Sequence, residues 1–286
     1  MSHPMPRREA CLALLATGLW ATSARAQTTT ALEIGVLPNI SARLLMAQYQ
    51  PMRDYLSREL ARPVQISTAP NWNAFHQRTL ALQYDLVVTA ANLARLAQID
   101  RGFVPLISYA PAIKGMVISA SRAPLKAVAD LRGQTLVLSN PQSLVTLRGM
   151  QWLADSGLQR ERDFKTISTP TDDSVGNVVV RGDAIAAMLS GGEYRAIPDA
   201  ARAQLTTLSV FAEVPGFVLM ASPRMPASEQ RALKDRLLAF AGGAEEGKAF
   251  FAASGFAGMR EAPAGLMESL DSFVEATRQV MSAAPA

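Results

Sequence analysis

Between residues 32 and 98, short apolar runs alternate with longer amphipathic ones. LEIGV, VQIS and YDLVVT have the length and β-branched content of strands, and the segments between them space apolar residues at helical intervals. In LLMAQYQPMRDYLSREL the residues Leu45, Tyr49, Met52, Leu56 and Leu60 form one core-facing stripe. Pro51 interrupts that run, so the pattern predicts a turn followed by a helix starting near Pro51, where proline fits the first turn. A further helix is predicted over residues 92–98 with Asn92 as its cap, then a strand over 103–109. Strands alternating with helices in this way make βαβ units and a parallel sheet.

The pattern restarts at Gly115. GMVISAS, TLVLSN, FKTIST and AIAAML read as strands. Helices are predicted over 127–133, 143–156 and 173–181, closed by Gly133, Gly157 and Gly182. FAEV and GFVLMAS suggest two more strands, followed by helices over 228–241, 247–254 and 266–282.

The first residues read as a targeting segment. Arg7 and Arg8 precede an apolar run from Ala10 to Ala21, and Ser23-Ala24-Arg25-Ala26 ends in a small-residue pattern that predicts cleavage before Gln27. The run falls short of the roughly 20 residues of a spanning helix. Cleavage would remove Arg7, Arg8, Arg25 and Glu9, taking the formal net charge from +4 to +2. That value gives no reason to expect nucleic-acid or membrane binding. It would also remove Cys11, the only cysteine, and leave His76 as the only imidazole. Disulfides and thiolate metal sites are then excluded, and no cofactor is expected. His76 falls inside a helical run and reads as a partly exposed helix residue. No G-K-S/T or G-x-S-x-G motif is present, and at 49% hydrophobic and 18% charged residues the chain is a well-packed globule.

GVLP closing the first strand, the Y-x-P-x-x-x-Y-L run from Tyr49 to Leu56, the R-P-V link and Tyr84-Asp85-Leu86 occur in an order and spacing that resemble a known family. It is that of the periplasmic solute-binding proteins of phosphate, phosphite and phosphonate ABC importers. The resemblance implies an α/β fold of two lobes, type II-like, joined by two crossing hinge strands. It places residues 27–110 and 215–286 in the first lobe and 111–214 in the second. It also implies a monomer in the periplasm that delivers a small polar ligand to an ABC permease in the inner membrane. A sensor kinase is an alternative partner, and an exported enzyme using carboxylates is the competing class.

In parallel α/β sheets ligands bind at the carboxyl ends of strands. The polar residues expected there are Asn39, Ser41, Thr89, Asn92, Ser139, Asn140, Ser143, Thr146, Asp172, Asp173 and Glu193, with Tyr109 at the predicted crossing. The segment LSNPQSLVT is the expected anion-binding element, because free N–H groups at a helix start favour negative charge. Ser143 reads equally as a helix cap or a ligand contact. Where the family tends to carry Ser-Thr-Ser-Gly, this chain has Ser143-Leu144-Val145-Thr146. Three carboxylates facing the cleft would repel a dianion, so the ligand is expected to be an oxyanion, a zwitterion, or a neutral or cationic solute.

Overall fold

The computed structural model describes residues 30–169 and 174–283. It contains two sheets. The first lobe begins β1 (Leu32–Val36), α1 (Ala42–Leu60), β2 (Val64–Ser67), α2 (Trp72–Leu80), β3 (Leu86–Thr89), α3 (Ala91–Arg101) and β4 (Val104–Ala110). The chain then forms β5 (Ile113–Ala120), β6 (Thr135–Leu138), α4 (Leu144–Asp155), β7 (Lys165–Ser168), α5 (Val175–Arg181) and β8 (Ala186–Ser190). Two short helices, α6 (Gly191–Ala196) and α7 (Asp199–Arg202), lead to β9 (Leu205–Val214). The return comprises β10 (Val218–Ala221), α8 (Ala227–Ala241), α9 (Glu245–Ser254), β11 (Gly258–Glu261) and α10 (Val274–Ala283).

The strand orders are β11-β4-β10-β3-β1-β2 and β7-β6-β8-β5-β9. In the first sheet β1 runs parallel to β2 and β3, and β10 is antiparallel to β3 and β4. Both faces of this sheet are covered, which is why its central strands are mostly apolar. Leu32, Ile34 and Val36 pack with α1, α8 and α9, while Val87 and Leu37 share a second core with Phe75 of α2 and Leu93 and Leu96 of α3. The second sheet is built likewise, with β6 parallel to β7 and β8, and β5 antiparallel to β8 and β9.

The chain passes between the sheets twice, at residues 111–112 and 215–217, and the two passages touch. Tyr109 N–H donates to the Phe217 carbonyl at 2.9 Å. A Cβ on Gly216 would lie 2.6 Å from the Tyr109 carbonyl oxygen, so only glycine permits this approach. The Ala110–Pro111 peptide is cis.

Several expectations need correction. Helix α1 runs unbroken through Pro51. An interior proline costs about 3 kcal/mol. Burial of Leu45, Tyr49, Met52, Tyr55 and Leu56 on one face outweighs it, at about 1.5–3 kcal/mol per large apolar side chain. Helix α3 starts before Asn92, which is its second residue and not its cap. The last predicted helix is a 3-10 segment, Glu268–Phe273, followed by α10. Strand β9 begins six residues earlier than FAEV suggests, and β11 (GMRE) carried no apolar pattern; both are sheet edges, half solvated and polar. His76 is buried and not partly exposed.

Candidate ligand site between the lobes

Three of the helices that follow buried strands are α3 after β3, α4 shortly after β6, and α6 after β8. The first N–H groups of any helix lack intrahelical partners and need something else. The three starts meet that need differently.

Helix α6 is closed by its own sequence. Ser190 Oγ accepts from Glu193 N–H at 3.1 Å, and the Glu193 carboxylate accepts from Ser190 N–H. This is a reciprocal capping box, legible in the S-x-x-E spacing of Ser190-Gly191-Gly192-Glu193. Glu193 is part-buried, and loss of water around its carboxyl pushes the pKa up. The Ser190 N–H, the Ser190 hydroxyl and the nearby Ser139 hydroxyl offset part of that rise.

Helix α4 is also largely self-satisfied. Ser143 Oγ accepts from Thr146 N–H at 3.1 Å and donates to Thr146 Oγ1 at 3.1 Å. Thr146 Oγ1 in turn donates to the Asn140 carbonyl at 2.7 Å, and Asn140 Oδ1 accepts from Gln142 N–H at 2.8 Å. The hydroxyl protons of Ser143 and Thr146 are therefore already committed within the turn.

Helix α3 is different. Its cap residue is Ala90, which offers no side-chain acceptor, and Ala91, Asn92 and Leu93 of its first turn are buried. Three polar atoms close to this helix start and the facing loop are buried without a hydrogen-bond partner: Thr89 Oγ1, Asn92 Oδ1 and Ser139 Oγ. Their residues are only 2%, 2% and 5% exposed. Ser139 lies near the Glu193 carboxyl without reaching hydrogen-bond geometry. Leaving such an atom unsatisfied costs about 1–3 kcal/mol, and Arg62 Nε, Tyr84 Oη and Thr166 Oγ1 are likewise without partners elsewhere among the described residues.

Contacts across the seam surround these atoms. Asn92 Nδ2 donates to the Gln142 carbonyl at 3.1 Å and to Thr277 Oγ1 at 3.4 Å. Gln142 Nε2 reaches Met281 Sδ of α10 at 3.3 Å. Leu144, Val145 and Val214 of the second lobe join the core containing Ala90, Ala91 and Val218 of the first. The seam is closed and partly apolar. Two shallow surface cavities lie elsewhere, of about 220 Å³ beside Arg122 and Asp183 and about 380 Å³ beside Pro51 and Glu246. Both lie away from the strand ends that gather the unsatisfied atoms, so the seam is the better candidate.

The remaining expected residues fall in other places. Asn39 and the exposed Ser41 follow β1, and Ser41 makes no side-chain cap to α1. Tyr109 does not line the seam: it is buried in the first-lobe core, edge-on to Phe217, Phe250 and Phe256, with its hydroxyl 3.5 Å from that of Tyr49. Asp172 and Asp173, like the expected cleavage site, lie outside the described residues. Among the described residues no cluster could hold a metal ion, and no helix is long and apolar enough to cross a membrane.

Comparison with known proteins bears on this architecture. Residues 34–264 match the model of the phosphonate-binding family, the periplasmic substrate-binding proteins of ABC phosphonate transporters. The chain belongs to this family. It is a two-lobed periplasmic substrate-binding protein of the ABC-importer class. No curated protein matches it at a comparable level. Among solved structures it resembles PhnD1 from Prochlorococcus marinus, in complex with methylphosphonate, with a TM-score of 0.76 at 14% identity over 87% of this chain and 98% of that one. XAC2383 from Xanthomonas citri, bound to chloride, aligns with a TM-score of 0.75 at 19% identity over 87% and 99%. PA3383 from Pseudomonas aeruginosa, the binding component of an ABC phosphonate transporter, gives 0.75 at 14% identity over 90% of each chain. At these identities the likeness speaks for the fold.

Proposed function

We propose that this binding protein holds a small oxyanion at the seam between the first turn of α3 and the loop leading into α4, and that the ligand is a phosphonate. The observation that carries this reading is the start of α3. It is buried and uncapped, and it stands beside three buried polar atoms that lack partners. Unsatisfied N–H groups and the helix dipole favour negative charge there. Methylphosphonate, the ligand in the PhnD1 structure, is the natural probe.

The contact set in this reading is Thr89, Asn92 and Ser139, with the α3 backbone N–H groups and those of Leu144 and Val145. Asn140, Ser143, Thr146 and Glu193 shape it from behind. Asn39 and Ser41 stand at the rim. Glu193 serves as a cap and not as an acid–base group, so the protein binds without chemistry. Residues 27–110 and 215–286 move as one lobe and 111–214 as the other, about the paired passages at 111–112 and 215–217. The segment 1–26 is removed on export, and the protein acts as a monomer in the periplasm, presenting its ligand to an inner-membrane ABC permease.

The test is a calorimetric titration of the chain starting at Gln27. Methylphosphonate is expected to bind at one site per chain and to raise the melting temperature, by about 2.7 kcal/mol of added stability at a hundredfold excess over Kd. No heat and no shift would contradict the reading.

A further inference from the structure

We propose that Asn92 makes the site selective for an oxyanion that brings its own proton, so that a singly protonated phosphonate is held while the dianion and the protonless sulfonate are rejected. This rests on the reading that the seam holds an oxyanion.

The orientation of the Asn92 amide is set by its neighbours. Its Nδ2 faces two acceptors, the Gln142 carbonyl and Thr277 Oγ1. The Thr277 hydroxyl proton is already given to the Phe273 carbonyl at 2.7 Å. The neighbours thus fix which end of the amide is nitrogen. Both amide hydrogens are used, and Oδ1 is the end left buried and unpartnered. An amide oxygen is an acceptor only. The other groups at the seam, the α3 N–H donors and the hydroxyls of Thr89 and Ser139, can serve the oxygens of an anion. Asn92 Oδ1 cannot. Against a fully ionised ligand it would meet another acceptor, and two buried acceptors facing each other stay unsatisfied. A P–OH group supplies the missing donor.

Charge points the same way. On α3 itself Arg95 is held by Asp271, and Asp100 pairs with Arg278 of α10. Arg101 sits at the far end of α3, and the other acid of the 3-10 segment, Glu268, lies 3.8 Å from Arg95. His76 on the adjoining α2 is kept neutral by burial. Across the seam Glu193 adds a partly buried carboxyl. Arg95 and Arg278 are thus held by carboxylates, while Arg78 of α2 and Arg148 of α4 donate to the Thr68 carbonyl and to Gln151. A sulfonate has a single charge but no proton to give.

Calorimetry on the wild-type protein with methylphosphonate and methanesulfonate, across the second ionisation of the phosphonate, tests this. The Kd for methylphosphonate is expected to be flat on the acid side and to rise about tenfold per pH unit above that ionisation. Methanesulfonate should bind at least about tenfold more weakly where the phosphonate is singly protonated. Asn92→Ala should bring the two ligands to similar affinity and flatten the pH profile. Equal affinities, or a Kd independent of pH, would overturn the inference and leave the oxyanion reading standing. A parallel loss for both ligands with rising pH would assign the effect to Glu193 and overturn it as well. Equal weakening of both ligands by Asn92→Ala would reduce the residue to a positioning role. If methylphosphonate fails to bind at any pH, the inference and the oxyanion reading fall together.

Discussion

At the start of α6, Ser190 and Glu193 satisfy each other's backbone, and nothing further is needed. At the start of α3, Ala90 offers no acceptor, the first turn is buried, and Thr89 Oγ1 and Asn92 Oδ1 have no partner. Both helices follow a buried strand of a parallel pair. The difference shows that polar residues near a strand end do not by themselves mark a binding site. What distinguishes one is polar capacity that the protein has not used. By this measure Glu193, expected as a ligand carboxylate, serves in our reading as the cap of α6. Asn92, expected both as a helix cap and as a ligand contact, is the second residue of α3 and keeps a buried acceptor without a partner.

The most severe way to break the contrast is to close α3 as α6 is closed. Ala90 already has extended cap geometry, with φ −63° and ψ 145°. Ala90→Asp would therefore place a carboxylate on the N–H groups we assign to the ligand. Methylphosphonate affinity is expected to fall about hundredfold or more, since charge-assisted hydrogen bonds are replaced and a like charge is added. The melting temperature should hold. Unchanged affinity measured by calorimetry would place the ligand elsewhere.

A second test addresses the frame behind α3. His76 on α2 has its pKa pushed down from 6.5 to about 4, first of all by burial. Between those values the unfolded chain binds more protons than the folded one. Stability is thus fully present above pH 6.5 and is lost as pH falls toward 4. The loss should approach roughly 2–3 kcal/mol in urea denaturation. His76→Leu should flatten the profile, and a profile equally steep in that variant would exclude His76 as its source.

The smallest ligand effect belongs to α6. Ser190→Ala should cost about 1 kcal/mol of stability through the lost cap. It should leave methylphosphonate affinity within about twofold, because neither partner in the capping box is a ligand group in this account. A large loss of affinity without loss of stability would restore Glu193 and Ser190 to the site.

Much of this fold was readable from the chain. β1, β3, β6 and β8 are apolar runs because they are buried on both faces, and Gly157 and Gly182 end their helical segments in left-handed turns at φ 77° and 89°. β11 and the first half of β9 were not readable. An edge strand is held by backbone pairing and tolerates polar side chains, so GMRE and LTTLSV carry no distinctive pattern. The proposed site was only partly selected by the sequence. Strand-end logic selects Thr89, Asn92 and Ser139, but it selects Ser143, Thr146 and Glu193 equally. Which hydroxyls remain free depends on how the 139–146 turn folds back on itself, a three-dimensional fact that spacing does not contain. S-x-x-E at Ser190–Glu193 announces a capping box, whereas Ala90-Ala91 at a buried helix start announces the lack of one.

The most direct test of the central claim is an amide nitrogen–proton NMR titration of the chain starting at Gln27 with methylphosphonate. The account predicts that the N–H signals of Ala91, Asn92 and Leu93, together with those of Leu144 and Val145, shift on binding and become protected from exchange. Those of Gly192 and Glu193 should stay where they are. Shifts centred on α6, with α3 unmoved, would contradict it.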